Sequence, residues 1–320
     1  MSSPNAWNRR EFVRAGLGAA SAPAFLRGAG RRPNILVVWS DEHNQRVAGC
    51  YGNRIARTPN LDRLASEGVT FDTAYCNSPL CVPSRLSFTA GKYIHRISAW
   101  NNECRLPGDN YPSLPHALNT AGYESFLCGK QHYDNAHRYG FTEIGGNMND
   151  AFHTGKGDRR RADDETVNFK SSESRFAEFR TAEDSSIITH DRKVTAGVMD
   201  FLGKRQRADK PFFLFAGYLA PHFPLTVPEC YWRNYLDRIA MPEIPAGFLD
   251  GMPLNYKHLR RGFGLVDTPP EIVKRGRELY YGLTEWVDNE IGQVLEALRR
   301  SPFAHDTVVV YSTDHGENMG

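Results

Sequence analysis

Four stretches of this sequence are almost continuously apolar, and each ends abruptly in polar residues. They read NILVVWSDEH, YESFLCGKQH, PFFLFAGYLAPH and TVVVYSTDHGE. Such runs are typical of strands that are buried on both faces, as in a parallel sheet. Two long helices are predicted between them, over 185–206 and 276–300, and the second carries apolar residues at helical spacing. The sequence therefore predicts an α/β fold: an open, mostly parallel sheet with helices on both faces.

Shorter elements are predicted around these four runs. Helices are expected over 58–68, from residue 84 to residue 93 and over 113–122, and a further strand is expected over 69–77. From 133 to 184 the chain is polar, and its run DRRRADDE is typical of a solvated loop.

Length and charge limit the classes of function. At 320 residues and 40% hydrophobic content, the chain can form one large α/β domain or two smaller ones. The formal net charge of +2 is nearly balanced, so the basic field of a nucleic-acid-binding protein is missing. No apolar run reaches the roughly 18 residues that a membrane span needs. Neither a nucleic-acid partner nor a membrane span is expected.

The first 30 residues differ from the rest of the chain. They contain Arg9 and Arg10, then Phe12, a weakly apolar stretch of Ala and Gly, and small residues around Pro23. This pattern resembles a twin-arginine export signal, and a frayed basic tail is the alternative. We therefore expect residues 1–30 to engage the twin-arginine translocase of a bacterium, and the protein to be periplasmic or secreted. Residues 31–320 remain as the catalytic domain.

The polar residues that follow the apolar runs form the main functional signal. In open α/β sheets, ligands bind at the carboxyl ends of the strands. One aspartate there is often only a turn residue, and one histidine is often only a surface residue. Together, however, these residues predict a single polar active site: Asp41, Lys130, His132, His222, Asp314 and His315.

The residue types at these ends suit the attack on an anionic ester. Asp41 and Asp314, with Glu42 and His315 beside them, offer mainly oxygen ligands, which favours Ca²⁺ or Mg²⁺, while imidazole ligands leave Mn²⁺ or Zn²⁺ open. The cations of Arg85 and Lys130 can hold an anionic group, and His132 and His222 can exchange protons near neutral pH; these four are the other candidates.

A short motif makes the prediction specific. Cys81-Val82-Pro83-Ser84-Arg85 resembles the C-x-P-S-R signature of the formylglycine-dependent sulfatases, in the alkaline-phosphatase superfamily. The resemblance implies that a maturation enzyme oxidises Cys81 to formylglycine, whose hydrate attacks the sulfur of a sulfate ester. The second hydroxyl of the hydrate then allows the bound sulfate to leave by elimination. Four other segments are similar to the family in the same order: NILVVWSDEH, CGKQH, APHFP and STDHGE.

The family resemblance also implies a role for each metal-site residue. Asp41, Asp314 and His315 are expected to bind the divalent cation, and Cys81, as formylglycine, is expected to be both a ligand and the nucleophile. Many members carry a second aspartate where this chain has Glu42, so the role of Glu42 as a ligand stays open.

The remaining roles implied by the resemblance concern the substrate. Arg85 is expected to steady the formylglycine and Lys130 to hold the sulfate group. His132 is expected to contact the formylglycine hydroxyl and to act as the base for elimination. His222 is expected to contact the sulfate or to donate a proton to the leaving oxygen.

A second departure from the family pattern, besides Glu42, concerns the end of the chain, and three alternatives to the expected sulfate-ester hydrolase stay open. The chain stops at Gly320, directly after the second metal loop, so a domain truncated at its C-terminal end, without the family's C-terminal subdomain, is expected. A phosphonate monoester or phosphodiester hydrolase can use the same site. A non-catalytic remnant would bind the cation and sulfate without turnover. Alternatively, Cys81 stays a thiol, structural or bonded to another cysteine such as Cys76; six irregularly spaced cysteines fix no pairing.

Overall fold

Five parallel strands form the main sheet in the part of the chain that the computed structural model describes, residues 32–149 and 176–319. They are β1 Asn34–Ser40, β2 Glu124–Gly129, β3 Thr142–Glu143, β5 Phe212–Gly217 and β7 Thr307–Thr313, in the order β3-β2-β5-β1-β7. Two short strands, β4 Arg180–Thr181 and β6 Thr226–Val227, pair with each other separately. The predicted α/β class with a mostly parallel sheet is confirmed.

Helices connect the strands. Their bounds are α1 Pro59–Ser66, α2 Cys81–Ala90, α3 Ile94–Ile97, α4 Leu114–Thr120, α5 Ser186–Lys204, α6 Glu229–Trp232, α7 Phe248–Gly251, α8 Leu254–Gly262 and α9 Pro270–Arg300. Two 3₁₀ turns, Gln45–Val47 and Gly49–Tyr51, follow β1. No helix among these described residues is both long and apolar enough to cross a membrane.

The apolar runs become strands because both faces of the sheet are covered. Successive side chains of a strand point to opposite faces. Leu36 and Val38 of β1 join the core cluster that contains α5 and α9. Val37 and Trp39 join the second cluster, which contains apolar residues of α2. Neighbouring residues of β1 therefore pack against helices on opposite faces of the sheet. Because neither face is open to water, the strand must be apolar at nearly every position.

A close approach of two strands shapes the carboxyl edge of the sheet. Gly129 of β2 lies opposite Gly217 of β5, and the N–H of Lys130 donates to the carbonyl oxygen of Gly217 over 2.8 Å. A Cβ atom on Gly217 would lie only 2.0 Å from the carbonyl oxygen of Lys130. Glycine is therefore required here, and the close approach fixes where Lys130 leaves the sheet.

Two predicted helix starts need correction. The helix over 276–300 begins earlier, at Pro270, since proline suits the first position of a helix. The helix expected from residue 84 begins at Cys81. Pro83 is tolerated in the first turn, because N–H groups there have no hydrogen-bond partner within the helix.

The strand predicted over 69–77 is wrong. A strand forms where its N–H and C=O groups pair with a neighbour, and no described strand pairs with this segment. Its apolar side chains are largely exposed: Val69 by 78%, Phe71 by 69% and Tyr75 by 88%.

The described parts of the segment 133–184, residues 133–149 and 176–184, are more structured than a long surface loop. Tyr133 and Tyr139 are buried, and β3 lies within it. The run DRRRADDE, 158–165, and the predicted export signal, 1–30, lie outside the described residues.

Candidate active site

The carboxyl ends of the parallel strands bring distant polar residues to one edge of the sheet. Asp41 directly follows β1, Asp314 follows β7, Lys130 follows β2, and His222 lies five residues after β5. Since β1 pairs with both β5 and β7, these segments leave the sheet side by side. All four side chains are buried, and Asp41 is fully enclosed.

Four potential ligand atoms meet at this edge. One atom each from Asp41, Glu42, Cys81 and His315 lies within 4.8 Å of the others. The Cys81 Sγ is 3.5 Å from His315 Nε2 and 3.8 Å from Asp41 Oδ1. Cys81 reaches this position because it is the first residue of α2, whose N-terminal end faces the strand ends. The cluster matches the predicted metal ligands except for Asp314.

Asp314 instead lies beside the cluster and holds its main chain in place through hydrogen bonds. Its Oδ1 accepts the N–H of Glu42 over 3.0 Å and the N–H of His315 over 2.9 Å, while its Oδ2 accepts Arg85 Nε over 3.0 Å. These bonds tie the loop after β1 to the loop after β7. The predicted role of Asp314 as a ligand stays a prediction.

Arg85 lies fully buried beneath the cluster. Besides Asp314, it donates to the carbonyl oxygen of Lys130 over 2.9 Å and to Gln131 Oε1 over 3.3 Å, and its NH2 atom is 3.5 Å from Asp41. The Nζ atom of Lys130 contacts the Asp41 carboxylate. Two buried cations thus adjoin two buried carboxylates, the arrangement that buried charge requires.

The carboxylates differ strongly in their affinity for a proton. Burial opposes ionisation of Asp41, but the charges of Lys130 and Arg85 outweigh it and hold its pKa well below the ordinary value. Burial, and then the charge of Asp41, raises the pKa of Glu42 well above its ordinary value and raises that of Asp314. A divalent cation among these oxygens would relieve their mutual repulsion. The donor set of two carboxylates, one imidazole and the sulfur of Cys81, with the carboxylate of Asp314 beside it, therefore fits such a cation.

The unmodified thiol of Cys81 is a poor nucleophile in this setting. Burial, followed by the negative charge of Asp41, raises its pKa to about 12. For the neighbouring His315, burial favours the neutral ring, but the charge of Asp314, the hydrogen bond to the carbonyl oxygen of Gly316 and the charges of Glu42 and Asp41 together outweigh burial and raise the pKa.

The two predicted proton-exchanging histidines are placed differently. Burial lowers the pKa of His222 to about 4, so its ring is neutral near pH 7. Its Nδ1 faces the carbonyl oxygen of Phe223, which accepts from Nδ1–H, and the unprotonated Nε2 lies 3.3 Å from Glu42 Oε1. His132 is buried with φ of 61°, and its N–H donates to the carbonyl oxygen of Asn149 over 3.0 Å.

Sequence reasoning missed several residues that support the site. The hydroxyl of Tyr280 donates to the carbonyl oxygen of Glu42 over 2.5 Å and accepts the N–H of Asn44 over 2.8 Å. These bonds hold the loop after β1, in which Glu42 has φ of 59°, a left-handed conformation. In the sequence, Tyr280 belongs to the apolar stripe of a helix and is indistinguishable from a core residue. Gln131, between two predicted site residues, carried no signal of its contact with Arg85.

A wide groove of about 2510 Å³ opens beside the cluster. Glu42 and His315 line it, as do apolar side chains such as Phe71, Ile244 and Val308. Glu42 and His315 can therefore be reached from outside through a largely apolar groove.

Comparison with known proteins agrees with this architecture. The sequence model of the family Sulfatase matches residues 33–320. The protein named uncharacterized sulfatase YidJ, from Escherichia coli (strain K12), is 28% identical over 295 residues, covering 91% of this chain and 58% of that protein. The choline-sulfatase of Rhizobium meliloti (strain 1021) is 26% identical over 301 residues, covering 90% of this chain and 58% of its own length.

Solved structures reproduce the fold. The phosphonate monoester hydrolase of Agrobacterium radiobacter superposes with a TM-score of 0.71 at 20% identity, covering 90% of this chain and 64% of that one. The fold and the edge cluster thus define an α/β protein with a candidate metal site at the carboxyl edge of a parallel sheet. Because the family match extends over residues 33–320, the chain belongs to the sulfatase family. It spans 58% of the length of each of the two relatives above.

Proposed function

We propose that this protein is a sulfuric-ester hydrolase that uses Cys81, converted to formylglycine, as its nucleophile and a divalent cation as its metal. The observation that carries the proposal is the meeting of four ligand atoms, from Asp41, Glu42, Cys81 and His315, within 4.8 Å beside two buried cations. Membership of the sulfatase family supports it. The ester, whether aryl, sugar or small alcohol, is left open.

The cation would be held by Asp41, Glu42 and His315, with Asp314 as the further candidate. Oxygen ligands dominate this set, which favours Ca²⁺ over softer metals. When bound, the cation would supply a Lewis acid and a fixed positive charge at the nucleophilic position. The chain's own contribution is to hold these oxygens together, through the bonds from Asp314 and Tyr280 to the loop after β1.

The two buried cations would serve the nucleophile and the sulfate group separately. Lys130 and Arg85 both lie against Asp41 without access to bulk water, where their charges act more strongly than at a surface. Arg85 is fixed by three further oxygen partners, so we assign it to steadying the residue at position 81. Lys130 is assigned to the sulfate oxygens, as a point charge.

The two candidate proton-exchanging histidines, His222 and His132, would have different roles. His222 has a neutral ring near pH 7 and points its Nε2 at Glu42, so it can accept a hydrogen bond at the cluster. We assign it to the sulfate group or the leaving oxygen; these oxygens are acceptors, so His222 would serve them as a donor once its Nε2 has taken up a proton. His132 is assigned as the base that removes a proton from the residue at position 81.

The test is to compare two substrates with the same leaving group. Protein made together with a formylglycine-generating enzyme is assayed with para-nitrophenyl sulfate and with para-nitrophenyl phenylphosphonate, with Cys81→Ala and Cys230→Ala as variants. We expect faster turnover of the sulfate ester, a loss of about 1,000-fold or more in Cys81→Ala, and no loss in Cys230→Ala.

Other outcomes would replace the proposal. Faster turnover of the phosphonate ester would favour a phosphonate monoester hydrolase, the activity named for one structural neighbour. Binding of Ca²⁺ and sulfate without turnover of either ester would favour a non-catalytic protein.

Export through the twin-arginine translocase is a separate proposal. It rests on Arg9 and Arg10 ahead of the Ala/Gly stretch. Replacing both by lysine keeps the charge but removes the guanidinium groups, so we expect the protein to stay in the cytoplasm. Arg14→Lys is the matched control, and periplasmic accumulation of the double variant would contradict this proposal.

A further inference from the structure

A buried carboxylate on α5 holds the turn that leads to His222. Asp191 is fully buried, and its Oδ1 accepts the N–H of Leu219 over 2.7 Å while its Oδ2 accepts the N–H of Ala220 over 2.9 Å. These two amides lie directly before Pro221 and His222. Both carboxylate oxygens are thus used to fix one short stretch of main chain after β5.

The neighbouring residue extends this support in a second direction. His190 is also buried, with its Nδ1 2.7 Å from Asp191 Oδ1 and its Nε2 3.1 Å from the carbonyl oxygen of Met148. Both partners are acceptors, so both bonds form only when the ring carries two N–H groups. The pair therefore joins the turn after β5 to the main chain at Met148.

The chain at Met148 continues directly to the residue that holds His132. Asn149 accepts the N–H of His132 with its carbonyl oxygen over 3.0 Å, and its side chain bonds both the N–H and the carbonyl oxygen of Tyr133, over 3.1 and 2.9 Å. His132 has a left-handed φ of 61°, which a non-glycine residue keeps only when its surroundings enforce it.

We propose that His190 and Asp191 are positioning residues that hold the turns carrying His132 and His222 as one unit. The inference rests on the proposed function, in which these two histidines face the same substrate from different strands. Neither residue of the pair belongs to the candidate metal cluster. Asp191 fixes the turn that carries His222. His190 connects that turn, through the carbonyl oxygen of Met148, to the turn that carries His132.

The chain offers a matched control for the carboxylate. Asp288 on α9 is likewise fully buried and accepts two main-chain N–H groups, from Asn60 over 3.1 Å and from Leu61 over 2.9 Å. It supports α1 rather than a histidine turn. Asp191→Asn and Asp288→Asn therefore remove the same kind of bond at different places.

The experiment measures amide hydrogen exchange and steady-state kinetics of the full chain. In Asp191→Asn we expect exchange to rise by about tenfold or more in peptides covering 216–223 and 130–134. We also expect kcat to fall by about tenfold or more with KM within about twofold, because misplaced groups affect the reaction more than binding. In Asp288→Asn exchange should rise around 58–64, with kcat within about twofold of the wild type.

A second variant keeps the proposal testable if Asp191→Asn does not fold. His190→Gln retains Asp191, so exchange should rise in 130–134 while 216–223 stays protected. Unchanged exchange in 130–134 for either folded variant would overturn the linkage of the two turns. A loss of kcat in Asp191→Asn no larger than in Asp288→Asn would overturn the positioning role. If wild-type protein turns over no ester, the proposed function fails, and the exchange measurement still decides the linkage.

Discussion

At the residue scale, the surroundings of Cys81 favour a neutral thiol over a reactive thiolate. The side chain is buried beside Asp41, and the pKa of the thiol is raised to about 12. A thiolate nucleophile would need the opposite environment, with cations dominating. Conversion of Cys81 to an aldehyde removes the need for a thiolate altogether, which is consistent with the proposed chemistry.

The unmodified thiol should therefore resist alkylation. In metal-free protein from cells without a maturation enzyme, we expect iodoacetamide at pH 7.5 to modify Cys81 at least about 100-fold more slowly than the exposed Cys76. Since the pKa lies above the range tested, the rate at Cys81 should rise about tenfold per pH unit between pH 8 and pH 10. Peptide mass spectrometry measures both rates, and equal rates at the two cysteines would contradict this environment.

Removal of Arg85 should strongly destabilise the fold. Arg85→Gln leaves the buried carboxylates of Asp41 and Asp314 without one of their cations, so we expect the free energy of unfolding to fall by about 3–5 kcal/mol. Urea unfolding of metal-free protein measures this. Arg300→Gln, which removes an 80% exposed partner of Glu296, is the control and should leave stability nearly unchanged, because solvent screens an exposed ion pair. A similar small change for Arg85→Gln would contradict the buried network.

The residues of the site were predictable from sequence to different degrees. Cys81 and Arg85 belong to a linear motif, and Asp41 and Asp314 follow apolar runs, so local pattern was sufficient to select them. The contact between His222 and Glu42 was not predictable, because it depends on where two separate loops leave the sheet.

At the element scale, α9 supports the loop after β1, which carries Glu42, a candidate metal ligand. Tyr280 of α9 bridges the carbonyl oxygen of Glu42 and the N–H of Asn44, and its hydroxyl is the only part of the residue that distinguishes it from a core phenylalanine. Groups that orient metal ligands through hydrogen bonds affect metal affinity even though they do not contact the metal themselves.

Loss of this hydroxyl should weaken metal binding. For Tyr280→Phe we expect the affinity for Ca²⁺, measured by isothermal titration calorimetry, to fall by about tenfold. The matched control is Tyr281→Phe, whose hydroxyl accepts from Asn53 instead, 3.0 Å away. An affinity equal to that of the wild type in Tyr280→Phe would show that α9 does not support the loop.

The elements themselves were mostly predictable because their patterns are local. All four apolar runs form strands, and both long helices form, although the second begins at Pro270 rather than at residue 276. The segment 69–77 has strand-like composition, yet composition does not supply a hydrogen-bonding neighbour. The early start of α2 at Cys81 was missed because Pro83 looked like a helix boundary rather than a first-turn residue.

At the scale of the whole molecule, β7 presents an apolar surface to the groove. Val308 is 50% exposed and Val310 is 42% exposed, and β7 lies at one end of the described strand order. Exposed apolar residues on an edge strand promote association between molecules. The strand order itself could not be predicted, since it depends on long-range pairing rather than on local pattern.

Polar replacements on this surface should reduce self-association. Val308→Thr combined with Val310→Thr keeps β-branched side chains, so we expect less concentration-dependent association in sedimentation velocity with little loss of stability. Val309→Thr, at a residue that packs against the core, is the control and should lower stability without reducing association. Equal association of the double variant and the wild type would show that this surface is not responsible.

The most direct test of the central proposal is peptide mass spectrometry of the fragment that holds Cys81. The protein is produced in the presence of a formylglycine-generating enzyme, and the aldehyde is verified by hydrazide labelling. The account predicts an aldehyde at position 81 in the protein that hydrolyses the sulfate ester. An unmodified thiol in most of the protein would contradict the proposed mechanism and leave the thiol or the non-catalytic alternative in its place.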